Sequence, residues 1–184
     1  METIKIIADI HTKGSVLPLR VSLQKIGSQT GIDIRHLRQE IAYTKEDKRD
    51  KDKKVLMPGR GLCFKAEALP EIISALLQTQ KRLDWLVMNV GKKDIQKELQ
   101  KVVEICDEDA YQTEDIQPIM ISIVSRSPRR GFYVRIGRYQ FGMPKSHKPG
   151  ENIQDYSVFE LVNVLQRAQE YLEKTQERVS PSKK

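Results

Sequence analysis

Residues 17–23 read Leu-Pro-Leu-Arg-Val-Ser-Leu, and every second residue in this stretch is apolar. An extended chain places alternate residues on opposite sides, so this period of two predicts a β-strand with one buried face and one polar face. The polar side carries Arg20 and Ser22. A strand of this kind is typical of an antiparallel sheet that has one face in solvent.

Segments with the same alternation flank this strand in the first half of the chain. Residues 3–13 place their apolar side chains on one side and are joined to the next strand by a turn at Gly14-Ser15. Residues 32–35 and 62–66 predict a third and a fourth strand. Between these two, residues 45–54 (KEDKRDKDKK) have no apolar side chain, which predicts a solvated loop that ends at Pro58-Gly59.

Both halves of the chain change from strands to helix. An apolar helical stripe predicts a helix from Pro70 to about Met88, and a second helix is predicted over residues 95–106. Period-two alternation returns at residues 119–124 and 132–136, which are joined by the SPRRG turn. A closing amphipathic helix is predicted over residues 156–175.

These elements predict an α+β protein whose antiparallel β-sheets are each closed by an amphipathic α-helix. The first strand-helix unit is expected over residues 1–90, and a helix with an acidic linker over residues 91–115. The second strand-helix unit is expected over residues 116–176, followed by a flexible tail at 177–184.

The two long helices also resemble each other in sequence. Residues 71–83 (EIISALLQTQKRL) and 160–172 (ELVNVLQRAQEYL) share four identical positions. Two amphipathic helices share apolar spacing in any case, so the similarity is compatible with a pseudo-repeat and with independent origin. A true repeat would make one chain an intramolecular pseudo-dimer.

Charge is distributed unevenly along the chain, whose formal net charge is +7. Residues 104–115 contain six acidic residues and no basic one, whereas residues 116–150 contain seven basic residues and no acidic one. A stretch whose charged residues are all basic attracts polyanions such as nucleic acids, or forms a solvated face beside acidic neighbours. The seven are Arg126, Arg129, Arg130, Arg135, Arg138, Lys145 and Lys148.

The composition argues against several classes of protein. No apolar run approaches the length of a membrane-spanning helix, and the first residues show no secretion signal, so we expect a cytoplasmic protein without a membrane partner. Two cysteines, Cys63 and Cys106, form no metal-binding spacing. Motifs for phosphate-cradling loops, zinc proteases or nucleophile elbows are missing, so we expect no enzyme, no cofactor and no metal.

Residues 131–141 (GFYVRIGRYQF) carry the strongest functional pattern. If Phe132, Val134 and Ile136 are buried, the opposite face presents Tyr133 and Arg135, followed by Tyr139 and Phe141. Aromatic rings stack on nucleobases while arginine pairs with phosphate, so this pattern is typical of a single-strand binding surface. A bulge at Gly137 would instead turn Arg138 outwards and bury the last two aromatics.

The first half contains motifs of a known family. Ile32-Asp33-Ile34-Arg35, a charged loop, Pro58-Gly59-Arg60-Gly61, a strand and an amphipathic helix together resemble the positive cofactor four family of transcriptional coactivators and its Whirly relatives. The resemblance implies strand-rich units closed by a helix that bind single-stranded nucleic acid on the sheet and act as dimers. By position it assigns binding roles to Arg35 and Arg60, with Lys65 on the next strand.

The sequence therefore predicts a protein that binds single-stranded DNA or RNA with little sequence preference, as a possible homodimer or pseudo-dimer. Two alternatives stay open: a helix-turn-helix over residues 23–41 that binds duplex DNA, and a scaffold that docks protein partners through residues 104–115. The predicted nucleic-acid contacts are Arg20, Arg35, Arg60, Lys65, Arg126, Arg129, Arg130, Tyr133, Arg135, Arg138, Tyr139, Phe141 and Lys145.

Overall fold

A computed structural model describes residues 2–11, 18–43, 49–90, 95–105, 118–127, 131–138 and 151–179. These residues form two antiparallel sheets of four strands each, with the strands in chain order, and three α-helices. The first half contains β1 (Glu2–Ile10), β2 (Leu19–Ile26), β3 (Gln29–Tyr43), β4 (Arg49–Lys65) and α1 (Leu69–Met88). The second half contains α2 (Ile95–Gln100), β5 (Val102–Ile105), β6 (Ile119–Ser127), β7 (Gly131–Arg138), β8 (Glu151–Gln154) and α3 (Asp155–Val179). The α+β class predicted from the sequence is confirmed.

Within the described part of β2, the alternation around residues 17–23 places the apolar side chains as predicted, whereas Ser22 on the polar side is buried as well. Leu19, Val21 and Leu23 are buried in the core, and β2 turns into β3 through a two-residue hairpin at Gly27-Ser28. Gly27 has a φ of 59°, a conformation that glycine adopts without steric cost. The turn is therefore shorter than the connection over residues 24–31 that separates the two patterns in the sequence.

The pattern in β1 is interrupted. Its pairing with β2 shifts register between Thr3 and Lys5 and again between Ile6 and Ala8. Each shift changes which face the following residues occupy, so Ile6 is exposed while Ile10 is fully buried. The single apolar face predicted for residues 3–13 is therefore wrong.

The charged segment after β3 also differs from the prediction. Residues 49–54, expected in a solvated loop, belong to β4, where Lys54 pairs with Ile41 and Arg49 with Tyr43. Pro58 also lies in β4, opposite Leu37, beside a register shift. Backbone hydrogen bonds extend the β3–β4 hairpin whatever the polarity of its side chains. A search for alternating apolar residues therefore does not detect the polar part of this hairpin.

The second helix is shorter than predicted. The sequence indicates a helix over residues 95–106, but α2 ends at Gln100 and β5 starts at Val102. Two consecutive β-branched residues, Val102 and Val103, favour the extended chain and explain the difference. The short strand β8 is not signalled by any pattern in the sequence.

Each long helix packs on the sheet of the other half of the chain. Helix α1 follows the first sheet but contacts β5, β6 and β7 of the second sheet. Helix α3 follows the second sheet and contacts β1 and β2 of the first, as well as β7 and β8. The two helices also contact each other, and one core of buried side chains extends through both halves. The halves are therefore intertwined.

Polar contacts connect the halves at the surface of this core. Arg167 of α3 donates a hydrogen bond from Nη2 to the carbonyl oxygen of Ile7 in β1, at 3.0 Å. Arg82 of α1 donates one from Nη2 to the carbonyl oxygen of Lys101, just before β5, at 3.2 Å. Each bond joins a helix to the half of the chain to which it does not belong.

Both halves have the same order of elements, four antiparallel strands and then a long helix. This order agrees with the predicted pseudo-repeat, although the duplication itself stays a hypothesis. Within the described ranges, no helix has a stretch apolar enough to span a lipid bilayer. The Gly14-Ser15 turn, most of the acidic run and residues 180–184 of the tail lie outside the described residues.

The exchange of helices predicts the behaviour of fragments cut between α1 and α2. Fragments 1–90 and 91–184 should each fail to fold as monomers, because each lacks the helix that covers much of its sheet. Mixing them should restore the secondary structure and the cooperative unfolding of the intact chain, measured by circular dichroism with size-exclusion chromatography. A folded, monomeric 1–90 fragment would contradict the observed packing.

Candidate nucleic-acid interface

The outer face of the second sheet presents an aromatic side chain and an arginine side by side. Val134 and Ile136 of β7 are fully buried in the core, so Tyr133 and Arg135 project from the opposite face, where both are half-buried. Residues two apart on one strand are separated by about 6.6 Å. The predicted placement of Tyr133 and Arg135 on one face is therefore confirmed.

Neighbouring strands extend this face. In the pairing of β6 with β7, Val124 lies opposite Tyr133 and Ser122 lies opposite Arg135. Val102 of the edge strand β5 pairs with Ser122 and is exposed. The row that contains Arg135 is thus polar at its centre and apolar at the β5 edge of the sheet, and it ends at Asn152 on the β8 edge.

Arg138 of β7 contacts the first sheet. The pairing of β6 with β7 continues without a register shift from Ser125 to Ile119, so the structure has no bulge at Gly137 within β7. Arg138 consequently follows the core-facing residues of β7, and its Nη2 donates a hydrogen bond to the carbonyl oxygen of Cys63 in β4, at 3.1 Å. This bond joins the two sheets.

Several predicted contacts cannot be placed. Arg60 belongs to β4 and Arg126 to β6, but their side chains are not among those described. The remaining predicted contacts that lie outside the described residues are Arg129, Arg130, Tyr139, Phe141 and Lys145.

The outer face of the first sheet carries two arginines in one row across the strands. The row consists of Asp9, Arg20, Arg35 and Gly61, one residue from each of β1 to β4. Arg20 donates two hydrogen bonds to Asp9, from Nε to Oδ1 at 2.7 Å and from Nη2 to Oδ2 at 2.8 Å. The hydrogen bonds from Arg20 lower the pKa of the Asp9 carboxyl, and those bonds also raise the pKa of Arg20.

Arg35 is paired in the same way. Its Nε and Nη2 both donate to the carboxylate of Asp33, which is fully buried. A buried carboxylate is costly without an opposite charge, so Arg35 compensates Asp33. Arg20 and Arg35 lie directly opposite each other, and their two aspartates offset the repulsion between them.

Gly61 of the Pro-Gly-Arg-Gly motif makes room for this arrangement. A Cβ atom at Gly61 would lie 2.4 Å from the Cβ of Arg35 and 2.6 Å from the carbonyl oxygen of Ile34. Any side chain would therefore collide with the neighbouring strand. The glycine is required by the close approach of β4 to Arg35.

A groove of about 370 Å³ lies on this face. Gln24 organises part of its wall, because its Nε2 donates to Thr3 Oγ1 and to Ser22 Oγ, both at 2.9 Å. The groove is lined by Thr3, Ile6, Arg20, Ser22, Gln24, Asp33, Arg35 and Leu37. The charges of its two arginines are balanced by Asp9 and Asp33, so the groove is a weaker attractant for phosphate than the sequence suggests.

Lys65 and Cys63 lie on β4 beside these residues. Lys65 is only 6% exposed, so little of its side chain is open to solvent, and the contact that the resemblance implies for it stays a prediction. Burial, assisted by the charge of Asp33, raises the pKa of the Cys63 thiol to about 11. The thiol is therefore protonated at neutral pH and is a poor nucleophile.

The structure also bears on the helix-turn-helix alternative and on metal binding. The helix-turn-helix alternative over residues 23–41 is wrong, because this segment forms the end of β2, the Gly27-Ser28 turn and most of β3. The described residues contain no group of three or more histidine, cysteine or acidic side chains placed to hold a metal ion.

Sequence reasoning missed the carboxylates that neutralise the arginines. Asp33 was detectable, since it stands two residues before Arg35 and therefore on the same face of a strand. Asp9 was not, because its position opposite Arg20 depends on the register shifts in β1.

Comparison of the chain with models of known protein families gives no match, and a search of curated proteins gives none either. The resemblance to the positive cofactor four and Whirly proteins thus rests on the two short motifs in the first half, at residues 32–35 and 58–61. It stays a prediction.

The Asp9–Arg20 pair predicts a pH-dependent contribution to stability. Asp9→Asn should lower the free energy of unfolding by about 1 kcal/mol at pH 7, the upper end of the range for partly exposed ion pairs. The pKa of Asp9 is lower in the folded state, so the pair stabilises the fold above the ordinary value of 3.8 and loses its effect as the pH falls through the lowered pKa.

Urea unfolding of the unmodified protein and of Asp9→Asn, from pH 7 down to acid pH, measures the difference in their free energies of unfolding. Asp84→Asn is the matched control, because Asp84 is exposed on α1 and accepts a hydrogen bond from Gln80 Nε2 that asparagine can also accept. An Asp9→Asn effect that persists at acid pH, or that equals the effect of Asp84→Asn, would contradict the role given to this pair.

Proposed function

We propose that the protein binds single-stranded DNA or RNA, with little sequence preference, on the outer face of the second sheet. The observation that carries the proposal is the position of Tyr133 and Arg135 on one partly exposed face, above a rigid core that fixes both. Stacking of a base on an aromatic ring contributes about 1–3 kcal/mol and tolerates any base. The guanidinium group pairs with the adjacent phosphate.

The charge of the surrounding segment supports this choice of face. Residues 116–150, which include β6, β7 and their connection, contain seven basic residues and no acidic one. A segment with this excess of positive charge attracts a polyanion to the second sheet.

Titration of a labelled oligothymidylate tests the proposal. The oligonucleotide should exceed the roughly 4–16 nucleotides that one such surface covers, and a duplex of equal length should be titrated beside it. We expect tighter binding of the single strand and a loss of affinity between about 50 and 200 mM salt, through counterion release.

Variants locate the surface. Tyr133→Leu should weaken binding by about 5- to 100-fold without altering the salt dependence, as expected for loss of stacking. Arg135→Gln should reduce the slope of log affinity against log salt by about 0.7, the loss of one phosphate contact. Lys81 is exposed on α1. Lys81→Gln is therefore the charge-matched control, and this variant should bind like the unmodified protein.

Three results would overturn the proposal. They are the absence of salt-sensitive binding to single strands, a preference for the duplex, and equal effects of Arg135→Gln and Lys81→Gln.

A further inference from the structure

A second basic surface lies between β1 and α3, apart from the residues of the candidate interface. It is a cleft of about 260 Å³, lined by Lys5, Ile7, Arg167, Glu170, Tyr171 and Lys174. Three of these side chains are cationic and one is anionic, so the lining has a net charge of +2. The two walls come from opposite ends of the chain, and the cleft exists only because α3 packs on the first sheet.

The helical wall of the cleft follows from residue spacing. Arg167, Tyr171 and Lys174 stand at positions i, i+4 and i+7 of α3, which places them on one face of the helix. Arg167 is held in place by the hydrogen bond from its Nη2 to the Ile7 carbonyl oxygen, at 3.0 Å. Tyr171 packs against the core and forms the centre of this wall.

Lys5 completes the cleft from β1. Its Nζ lies 3.8 Å from the centre of the Tyr171 ring, a cation–π contact that orients the ammonium group without neutralising its charge. The hydrogen bond of Arg167 to a carbonyl oxygen likewise leaves the guanidinium charge intact. Both cations are therefore held in place by uncharged groups.

The cations of the cleft differ in their partners from those on the outer face of the first sheet. There Arg20 and Arg35 are each joined to an aspartate. In the cleft, by comparison, no ion pair within the described part of the chain involves Lys5, Arg167 or Lys174. Glu170 is the one carboxylate in the lining and offsets a single positive charge. The excess positive charge is held in place and remains available to an anion.

We propose that the β1–α3 cleft binds phosphate groups of the single-stranded nucleic acid and is a second contact point for the strand. This inference rests on the proposed function. The cleft is smaller than the roughly 300–1,000 Å³ of sites that enclose a whole small molecule, so it suits the backbone of a chain that passes over it. Lys5, Arg167 and Lys174 contact the phosphates, and Glu170 limits the affinity.

A pair of exposed substitutions with opposite expected effects tests the cleft. Lys174→Gln should weaken oligothymidylate binding about two- to five-fold and reduce the salt slope by about 0.7. Glu170→Gln should strengthen binding by a similar factor, because it removes the one negative charge of the lining. Both side chains are exposed, and circular dichroism verifies that the fold is unchanged. Lys81→Gln is again the control.

The outcomes separate this inference from the proposed function. If the unmodified protein shows no salt-sensitive binding to single strands, both fall. A second outcome is that the unmodified protein binds single strands and Arg135→Gln weakens this binding, while Lys174→Gln and Lys81→Gln leave the affinity and the salt slope unchanged. This outcome overturns the cleft proposal alone. Binding of polyglutamate that depends on Lys174, with oligonucleotide binding that does not, would also overturn it by assigning the cleft to an acidic protein partner.

Discussion

The packing of each long helix on the sheet of the opposite half is the constraint on which the rest of the structure depends. Helices α1 and α3 bury their apolar faces, including Leu76 and Leu165, in one core that extends through both halves. Because this core fixes the inner faces of both sheets, it also determines which strand residues point outwards. Tyr133 and Arg135 project from the second sheet because Val134 and Ile136 are held in the core, and the cleft between Lys5 and Lys174 exists because α3 crosses to β1.

The outer faces of the two sheets and the β1–α3 cleft differ in the groups that surround their cations. On the first sheet, Arg20 and Arg35 compensate Asp9 and Asp33, so their charges serve the internal balance of that face. On the second sheet the basic segment has no acidic residue of its own, and in the β1–α3 cleft the cations are oriented by a ring and a carbonyl group. A count of basic residues does not distinguish these cases, since the number of arginines and lysines says nothing of their partners.

Local patterns in the sequence predicted much of the fold and part of the candidate site. Alternation revealed the strands around Val21, Ile34, Ile121 and Val134, and the apolar stripes revealed α1 and α3, because burial of one face leaves a period in the sequence. The same alternation placed Tyr133 beside Arg135. What escaped prediction depends on contacts between distant residues: the pairing of residues 49–54, the bond from Arg138 to Cys63, the neutralisation of Arg20 by Asp9, and the cleft that joins Lys5 to α3. None of these leaves a local signal.

The central claim is that a single strand of nucleic acid lies across Tyr133 on the second sheet. Photo-crosslinking of the intact protein to an oligothymidylate that carries a photoreactive thymine analogue, followed by identification of the linked peptide by mass spectrometry, tests it most directly. We predict crosslinks at Tyr133 that disappear in excess unlabelled oligothymidylate and at high salt. Crosslinks confined to the outer face of the first sheet, around Arg20 and Arg35, or crosslinks insensitive to the competitor, would contradict the claim.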